Sequence, residues 1–582
     1  MPETDGSDFA NRLSGKVLVL GSDFKNYRTC LAIVRSLGRA GLEVHLGWQA
    51  ADEIAGFSRY VAKKLQLPPY SSDNNDWYES LTAVLKRERY DLVIPANEQA
   101  CAPLEQNRNL FADYPEIYQL NPEAYEIVFD KIKTATLAQE LNIPMPPQII
   151  LTDLNDFERS ESEIGYPAVL KPKASFELAD LKRKLYVYKA VNRPELLTVA
   201  RHLLDHGPVI VQKHVPGIGV GIEFLAFGGR ILFAFQHRRL HEPPLGGGSS
   251  YRRSCPIDTE LIAYLRPLLA ALCYTGVGMA EFRVDSKGGR KWFLEINGRF
   301  WGSLPLAVAA GADFPRFLYL MRCQQVREFG QEYKTSIYCR NSIRDFEWIL
   351  ANRKIDKKNP LYNSESNIKV IAEFGNILLG RERNDTIAID DPLPAIVEFG
   401  KLLWLILKKS ADCMRSNSPA RWLASRRLRG RLRRAQSLLF VCYGNIYRSP
   451  FAAAAAKRLL PNSVKVESAG YYPKTGRKPH QRAIDIAAEF GLDIENHRST
   501  IVDSEKIRRA EIIFVFDRAN AAWLKTNFPE SKGKLAFLGL LRYRGPVEIG
   551  DPVAGNLYTV RDCYRRILQA LEPLKRLKSE KT

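Results

Sequence analysis

The nine cysteines of this chain never form a CxxC pair, so the sequence signature of a zinc site or a disulfide framework is missing. Nowhere do about 18 apolar residues run together, which leaves no stretch suited to span a bilayer as a helix. The first residues, MPETDGSDFANRLSGK, hold no apolar core of the kind a secretory leader carries, and a cytoplasmic setting is expected. GxGxxG is absent, which weakens a dinucleotide reading, and no internal repeat is visible. Acid is comparatively scarce. The 85 Lys and Arg exceed the 65 Asp and Glu by 20, and residues 401–438 supply half of that excess, with 11 basic residues against the single acid Asp412. Such a local block describes one linker rather than the whole protein.

What is present is enough for several cores: 582 residues, 45% of them apolar, suggest two to four domains. KVLVLGS (16–22) reads as a buried strand, followed by a helix near 27–40 and a second strand, LEVHLGW, which makes a βαβ opening. YDLVIPANE adds another parallel strand, and DKIKTATLAQELNIPMPP reads as a helix stopped by prolines. From there to about residue 315, strands alternate with short helices in α+β fashion. Within 351–391, IKVIAEF and ILLGR are expected to be strands. AIVEFGKLLWLILKK (395–409) reads as an apolar helix, an exposed basic linker runs to 434, and a last domain starts near 435.

The sharpest chemistry lies in LLFVCYGNIYRSPF, residues 438–451. SLLFV reads as a strand, and Ser449 and Pro450 suit the cap and first position of a helix. The turn between them would aim main-chain N–H groups and a helix N-terminus at one spot, which is how an oxyanion is held. A thiol placed there, Cys442, is expected to ionise readily. Arg448 adds a fork of donors matched to phosphate oxygens. Gly444 permits a tight turn, Asn445 pins the loop through its side chain, and Ser449 donates to the sulfur. The plain alternative is a buried structural cysteine with a chance arginine. The preceding strand, the Gly-Asn pair and the Ser-Pro pair weigh against it.

At these residues the chain resembles the low-molecular-weight protein tyrosine phosphatases. Their V-C-x-G-N-x-x-R-S pattern is matched by Val441, Cys442, Gly444, Asn445, Arg448 and Ser449, with Tyr443, Ile446 and Tyr447 filling the loop. SAG at 468–470, GLDIENHRS, EIIFVFDRAN and the Asp551–Pro552 pair fit further family segments, so the likeness runs from about 435 to the end. It implies a parallel-sheet α/β domain in which Cys442 attacks a phosphate monoester, Arg448 and the loop amides hold its oxygens, and Asp551 is the general acid. A phosphotyrosine protein or an aryl phosphate is the implied substrate. Asp391–Pro392 also occurs, and the place of Asp551 before the last amphipathic helix singles it out. Tyr471 and Tyr472 are either walls of a phosphotyrosine cleft or loop aromatics. The pattern departs at Tyr447, where many relatives carry a second cysteine, so Cys442 lacks a local resolving thiol and should overoxidise readily. Cys563, the only later cysteine, falls on a core-like helix, which disfavours arsenate reduction, and Val553 replaces a common aromatic.

Upstream, GVGMAEFRVD holds Glu281 and KWFLEINGRFWGS holds Glu295 and Asn297. Residues two apart on a strand share a face, so Glu295 and Asn297 project together, and Glu281 joins them if the strands pair. Three oxygen ligands suit Mg2+. Lys171 lies in the apolar YPAVLKPK and needs an anionic partner, Lys131 opens a helix, and the backbone near Gln212–Val215 is placed to meet an adenine. The ordered set D-K, Y-P-x-x-x-K-P, Q-K-x-x-x-G, E-F and E-I-N-x-R resembles the ATP-grasp superfamily over about 130–315. The resemblance implies a two-lobed fold binding ATP and Mg2+, preceded by an α/β domain at 1–125 and extended by 331–394. It implies a carboxylate–amine ligase in which Lys131 and Lys171 hold phosphates, Glu281, Glu295 and Asn297 hold Mg2+, and Arg299 faces an acyl phosphate. One departure is that PKASFELADLKRKLYV, where relatives carry a Gly-rich cover, has no glycine, while PPLGGGSSYRR offers another Gly-rich loop.

The expected whole is therefore a multidomain α/β and α+β fusion of two enzymes. The competing readings are a phosphatase regulated by a non-catalytic ATP-binding half, and a membrane-surface scaffold with both sites degenerate. For residues 395–434 a solvated tether and peripheral contact with the inner membrane face both stand. Nucleic acid is not expected, since no aromatics interleave the arginines to stack bases.

Overall fold

A computed structural model describes residues 12–22, 27–48, 54–243, 247–285, 289–353, 361, 364–416, 418–542 and 545–575. The chain divides into two compact units, one built from 1–189 and 206–402, the other from 190–205 and 403–582.

The first unit opens with a four-stranded parallel sheet ordered Val61–Gln66, Glu43–Trp48, Lys16–Ser22, Leu92–Pro95. Its central strand is fully buried at Val17, Leu18 and Val19, as expected for a parallel strand covered on both faces. The helix Lys131–Glu140 follows, with Asp130 as its N-cap accepting from the Ile132 and Lys133 amides. A small sheet carries the strands Ala168–Pro172 and Val209–Lys213, and a two-stranded hairpin pairs Phe176–Glu177 with Asp180–Lys184. A seven-stranded sheet forms the main platform. In it, Gly276–Val284 pairs antiparallel with Lys291–Asn297, and Glu281 lies opposite Glu295 in register. The short strands Tyr338–Arg340 and Glu382–Asn384 continue the same sheet, so the 331–394 extension is built into it.

Two expectations fail here. IKVIAEF is helical, in Asn367–Glu373, and ILLGR begins in the short helix Gly375–Leu378 and leaves it as a turn at Leu379 and Gly380. Ser366 caps the first of these by accepting from the Lys369 amide, and local capping outweighs β-branched composition. The basic linker is not an exposed coil either: Leu393–Ser416 and Pro419–Arg434 are helices. The second helix buries Leu428 and Leu432, and its Arg421 and Arg429 donate to the carbonyls of Gly545 and Leu541, both at 2.6 Å.

The second unit is a four-stranded parallel sheet ordered Lys465–Gly470, Ser437–Cys442, Ile512–Val515, Leu535–Phe537. The helix Leu557–Leu571 covers it with Val560, Tyr564, Ile567 and Leu571 fully buried, while Leu568 is half-buried. Phe451 and Tyr564 stack with ring centroids 3.7 Å apart, which anchors the helix Arg448–Leu459 beneath the last helix.

Candidate active sites

Cys442 ends its strand, and the next five residues turn into the helix Arg448–Leu459. The sulfur is buried at the base of this loop. The Asn445 amide donates to Sγ at 3.3 Å, and Ser449 Oγ lies 3.0 Å from it. The helix begins at Arg448 with Tyr447 at the cap position, so Ser449 is not the cap; its hydroxyl serves the sulfur instead. The turning strain also falls elsewhere than expected. Asn445, not Gly444, takes the left-handed conformation, with φ of 50°. Asn445 is held there by its own side chain: Nδ2 donates to Ser449 Oγ and Ser468 Oγ, and Oδ1 accepts from the Thr500 amide at 2.9 Å. His497 Nε2 adds a contact to the Asn445 carbonyl at 2.9 Å. Gly470 lets the loop approach, since a Cβ there would lie 2.7 Å from the Tyr443 carbonyl oxygen.

Arg448 is almost wholly buried. It pairs with Asp551 and Asp517 and donates to the Ile549 carbonyl at 3.1 Å. Burial pulls its pKa down, but Cys442, Asp551 and Asp517 more than offset that and hold the guanidinium charged. Its Nε, also buried, has no hydrogen-bond partner among the described residues. Asp517 was not singled out in the sequence; its sole signal there is its position as cap of the helix Arg518–Asn527. Tyr443 stands half-exposed at the rim, edge-on to Tyr471 and Tyr472 at centroid distances of 5.1 and 5.5 Å. Ile446 is buried less deeply than Tyr447, which packs inside the loop. Tyr447 OH accepts from Arg482, and the same guanidinium donates to the carbonyls of Val553 and Gly555 beyond Asp551. One arginine thus ties the phosphate loop to the acid loop, a role no local motif announces. Cys563 is buried, its thiol pushed up to about 12 by burial, and its Sγ contacts the Gly550 carbonyl.

In the first unit the predicted residues come together from several elements. Lys131 Nζ lies 3.1 Å from Glu295 and contacts Ser175 Oγ at 3.5 Å. Asn297 Nδ2 donates to Glu281 at 3.3 Å, and Arg299 donates to Asn297 Oδ1 at 3.2 Å. Burial pulls Lys131 down, but Glu295, Glu98 and Glu281 more than reverse it, whereas burial lowers Lys171 to about 8 despite Glu295. Burial raises Glu295, and Lys131 and Lys171 reverse the direction, leaving its carboxyl below the ordinary range. Sequence reading missed Arg239, 2.7 Å from Glu281, Glu98, 3.6 Å from Arg299, and Lys184, whose ammonium burial holds down against the pull of Glu98. None of the three lies in a motif that singles it out in its own segment. Among the described residues no three His, Cys, Asp or Glu side chains form a metal-holding group, so a cation here would rely on two carboxylates and the Asn297 amide. That all-oxygen donor set fits Mg2+. Gln212 is buried and donates to Gln148 at 2.7 Å, and Val215 is half-buried beyond the strand. The Lys213 and His214 amides already donate to the Pro147 and Pro167 carbonyls, so an adenine would meet other groups of this segment. In the Gly-rich loop, 244–246 lie outside the described residues, while Ser249 and Ser250 are buried.

A buried sulfur facing a main-chain donor and a hydroxyl, beside an arginine paired with two acids, defines a cysteine-dependent phosphomonoesterase. The model of the low molecular weight phosphotyrosine protein phosphatase family matches residues 437–581. The probable low molecular weight protein-tyrosine-phosphatase EpsP of Ralstonia nicotianae is 30% identical over 137 residues, 24% of this chain and 92% of that one. Through its C-terminal unit the chain belongs to the low molecular weight protein-tyrosine-phosphatase family. The carbamoyl phosphate synthase large chain of Archaeoglobus fulgidus is 24% identical over 244 residues, 40% of this chain and 22% of that one. The crystal structure of an L-amino acid ligase from Bacillus licheniformis aligns with 56% of this chain and 78% of its own at 17% identity and a TM-score of 0.43. No helix among the described residues is long and apolar enough to cross a membrane.

Proposed function

We propose that the chain joins a protein tyrosine phosphatase to an ATP-dependent carboxylate–amine ligase. The observation that carries the first half is the sulfur of Cys442 set between the Asn445 amide and the Ser449 hydroxyl, with Arg448 and Asp551 paired beside it. In this reading Sγ attacks the phosphorus of an aryl phosphate while the P–O bond to the phenol breaks, and Asp551 gives its proton to the departing oxygen. Asp551, now a carboxylate, takes a proton from water as that water displaces the sulfur from phosphorus. Phosphate leaves and the thiolate returns. Arg448 and the loop amides carry the charge that builds on the phosphoryl oxygens. Tyr443, Tyr471 and Tyr472 line the approach to the sulfur and suit a flat aryl group. Cys442→Ser should abolish hydrolysis of an aryl phosphate, and unchanged turnover in that variant rules the mechanism out.

For the ligase half, the supporting observation is the meeting of Lys131, Glu295, Glu281, Asn297 and Arg299 in one hydrogen-bonded group. Lys131 and Lys171 would hold phosphate oxygens, and the segment at Gln212–Val215 would border the adenine. ATP, when bound, supplies the phosphoryl group that turns a carboxylate into an acyl phosphate, and Mg2+ held by Glu281, Glu295 and Asn297 screens the phosphate charge. Arg299, now bonded to Asn297 and near Glu98, would turn to the acid. Carboxylate-dependent ADP release trapped by an amine tests this. A second reading, ATP binding without turnover, is favoured by the glycine-free hairpin Phe176–Glu177/Asp180–Lys184, where relatives have a flexible cover. ATP binding with no ADP release across acids and amines would select it. The engaged arginines of the helix Pro419–Arg434 favour a structural role for this part of the basic stretch over membrane contact.

A further inference from the structure

Residues 367–399 are built inside out. Their six acids are Glu373, Glu382, Asp385, Asp390, Asp391 and Glu398, and every one is paired within the first unit. Glu373 meets His241, Glu382 meets Arg340, and Asp385 meets Arg252. Asp390 meets Arg39, Asp391 meets Arg35, and Glu398 accepts from the Tyr27 hydroxyl at 2.7 Å. The large aliphatic side chains point the other way. Ile368, Ile371, Leu378 and Ile389 are 82, 70, 91 and 100% exposed, and Leu379 and Ile396 are also exposed. Apolar residues scattered singly over a surface need no explanation, but a run of them opposite a fully paired set of acids does.

We propose that this face docks on an anionic lipid surface. Charge decides the occupant. With all six acids engaged and Lys369 paired to Glu365, the outward charge of the segment left unpaired among the described residues comes from Arg381 and Arg383, both exposed. Within the first unit the start of the helix Leu393–Ser416 continues the pattern, with Leu393, Ile396 and Phe399 exposed. Apolar side chains entering the headgroup–acyl boundary, with cations at the level of anionic headgroups, is the chemistry of a protein lying on a bilayer. A second copy fits worse, because a two-fold contact would set these cations against themselves. The face shares no residue with either proposed catalytic site, and the proposal stands whether or not either of them turns over.

The test is flotation of the full-length protein with vesicles of phosphatidylcholine alone or with about 30 mol% phosphatidylglycerol, at low and high salt. The expected result is binding to the anionic vesicles that falls steeply with salt. The triple variant Ile371→Ser, Leu378→Ser, Ile389→Ser should lose at least about tenfold in bound fraction, with melting temperature and aryl phosphate hydrolysis unchanged. Should that variant not fold, Leu378→Ser alone, at the 91% exposed position, carries the test with a smaller loss. Arg381→Gln with Arg383→Gln should flatten the salt dependence. Two results would overturn the proposal: vesicle binding indifferent to these substitutions, or no vesicle binding together with a dimer in sedimentation that the triple variant dissociates.

Discussion

The phosphate loop of the second unit and the charged cluster of the first are both suited to phosphoryl oxygens, yet they are built in opposite ways. The loop draws on consecutive residues, and main-chain geometry does the positioning; its side chains, Asn445 above all, are spent on holding the backbone in shape. The cluster draws single side chains from a helix, three strands and a loop, and these satisfy one another in pairs such as Lys131–Glu295 and Arg239–Glu281. A backbone cradle is specified by a short motif, whereas a side-chain cradle is specified by topology. The loop can therefore be broken at one residue, while the cluster should fail by redistribution of charge.

The largest effect on that contrast is expected from Cys442→Ser. Hydrolysis of an aryl phosphate in a steady-state assay should fall by at least about 10⁴-fold, with nucleotide binding by the first unit intact. Asp551→Ala should slow turnover by about 10²–10³-fold, most for phenols with high pKa, and an equal loss for good and poor leaving groups would remove Asp551 as the acid. In the first unit, Glu295→Gln should cut carboxylate-dependent ADP release by about 10²-fold while leaving the phosphatase unchanged, because it frees Lys131 and removes a cation ligand together.

A pH effect sharpens the comparison further. Burial holds Lys171 near 8, and the unfolded chain keeps its lysine at about 10.4. Between these values the unfolded state binds more protons, so ligand-free stability gains from this group as pH rises. Phosphate selects the charged form, so nucleotide affinity should weaken as pH rises through about 8. Thermal shifts with ATP at pH 7 and 9 read this, and Lys171→Met should flatten it. The smallest expected effect is that of Arg482→Gln. By cutting the tie from Tyr447 to the acid loop it should lower turnover by about fivefold to tenfold, with a stronger effect on poor leaving groups and little on vanadate binding.

Much of this architecture could be read before any coordinates. The strand, turn and helix around Cys442 were legible because strand hydrophobicity, a Gly-Asn turn and a Ser-Pro helix start are adjacent in sequence. Two details moved: Ser449, expected both to cap the helix and to bond the sulfur, lies against the sulfur but does not cap, and the positive φ of the turn falls on Asn445 rather than on Gly444. Asp517, Arg482 and Arg239 were not legible, since each reaches its partner across tens of residues. The strands expected at 368–374 and 377–381 do not form, because Ile368, Ile371 and Ile377 face water rather than a neighbouring strand, so their β preference has nothing to pack against. Binary patterning misleads where a surface is apolar outward.

The central claim is that the sulfur at 442 receives the phosphoryl group. Rapid quenching of the Asp551→Ala variant with an aryl phosphate, followed by peptide mass mapping, tests it most directly. The account predicts one added phosphoryl group on the peptide carrying Cys442, formed at the rate of phenol release and absent in Cys442→Ser. Phenol release with no such adduct, or a phosphoryl group on any other residue, would contradict it.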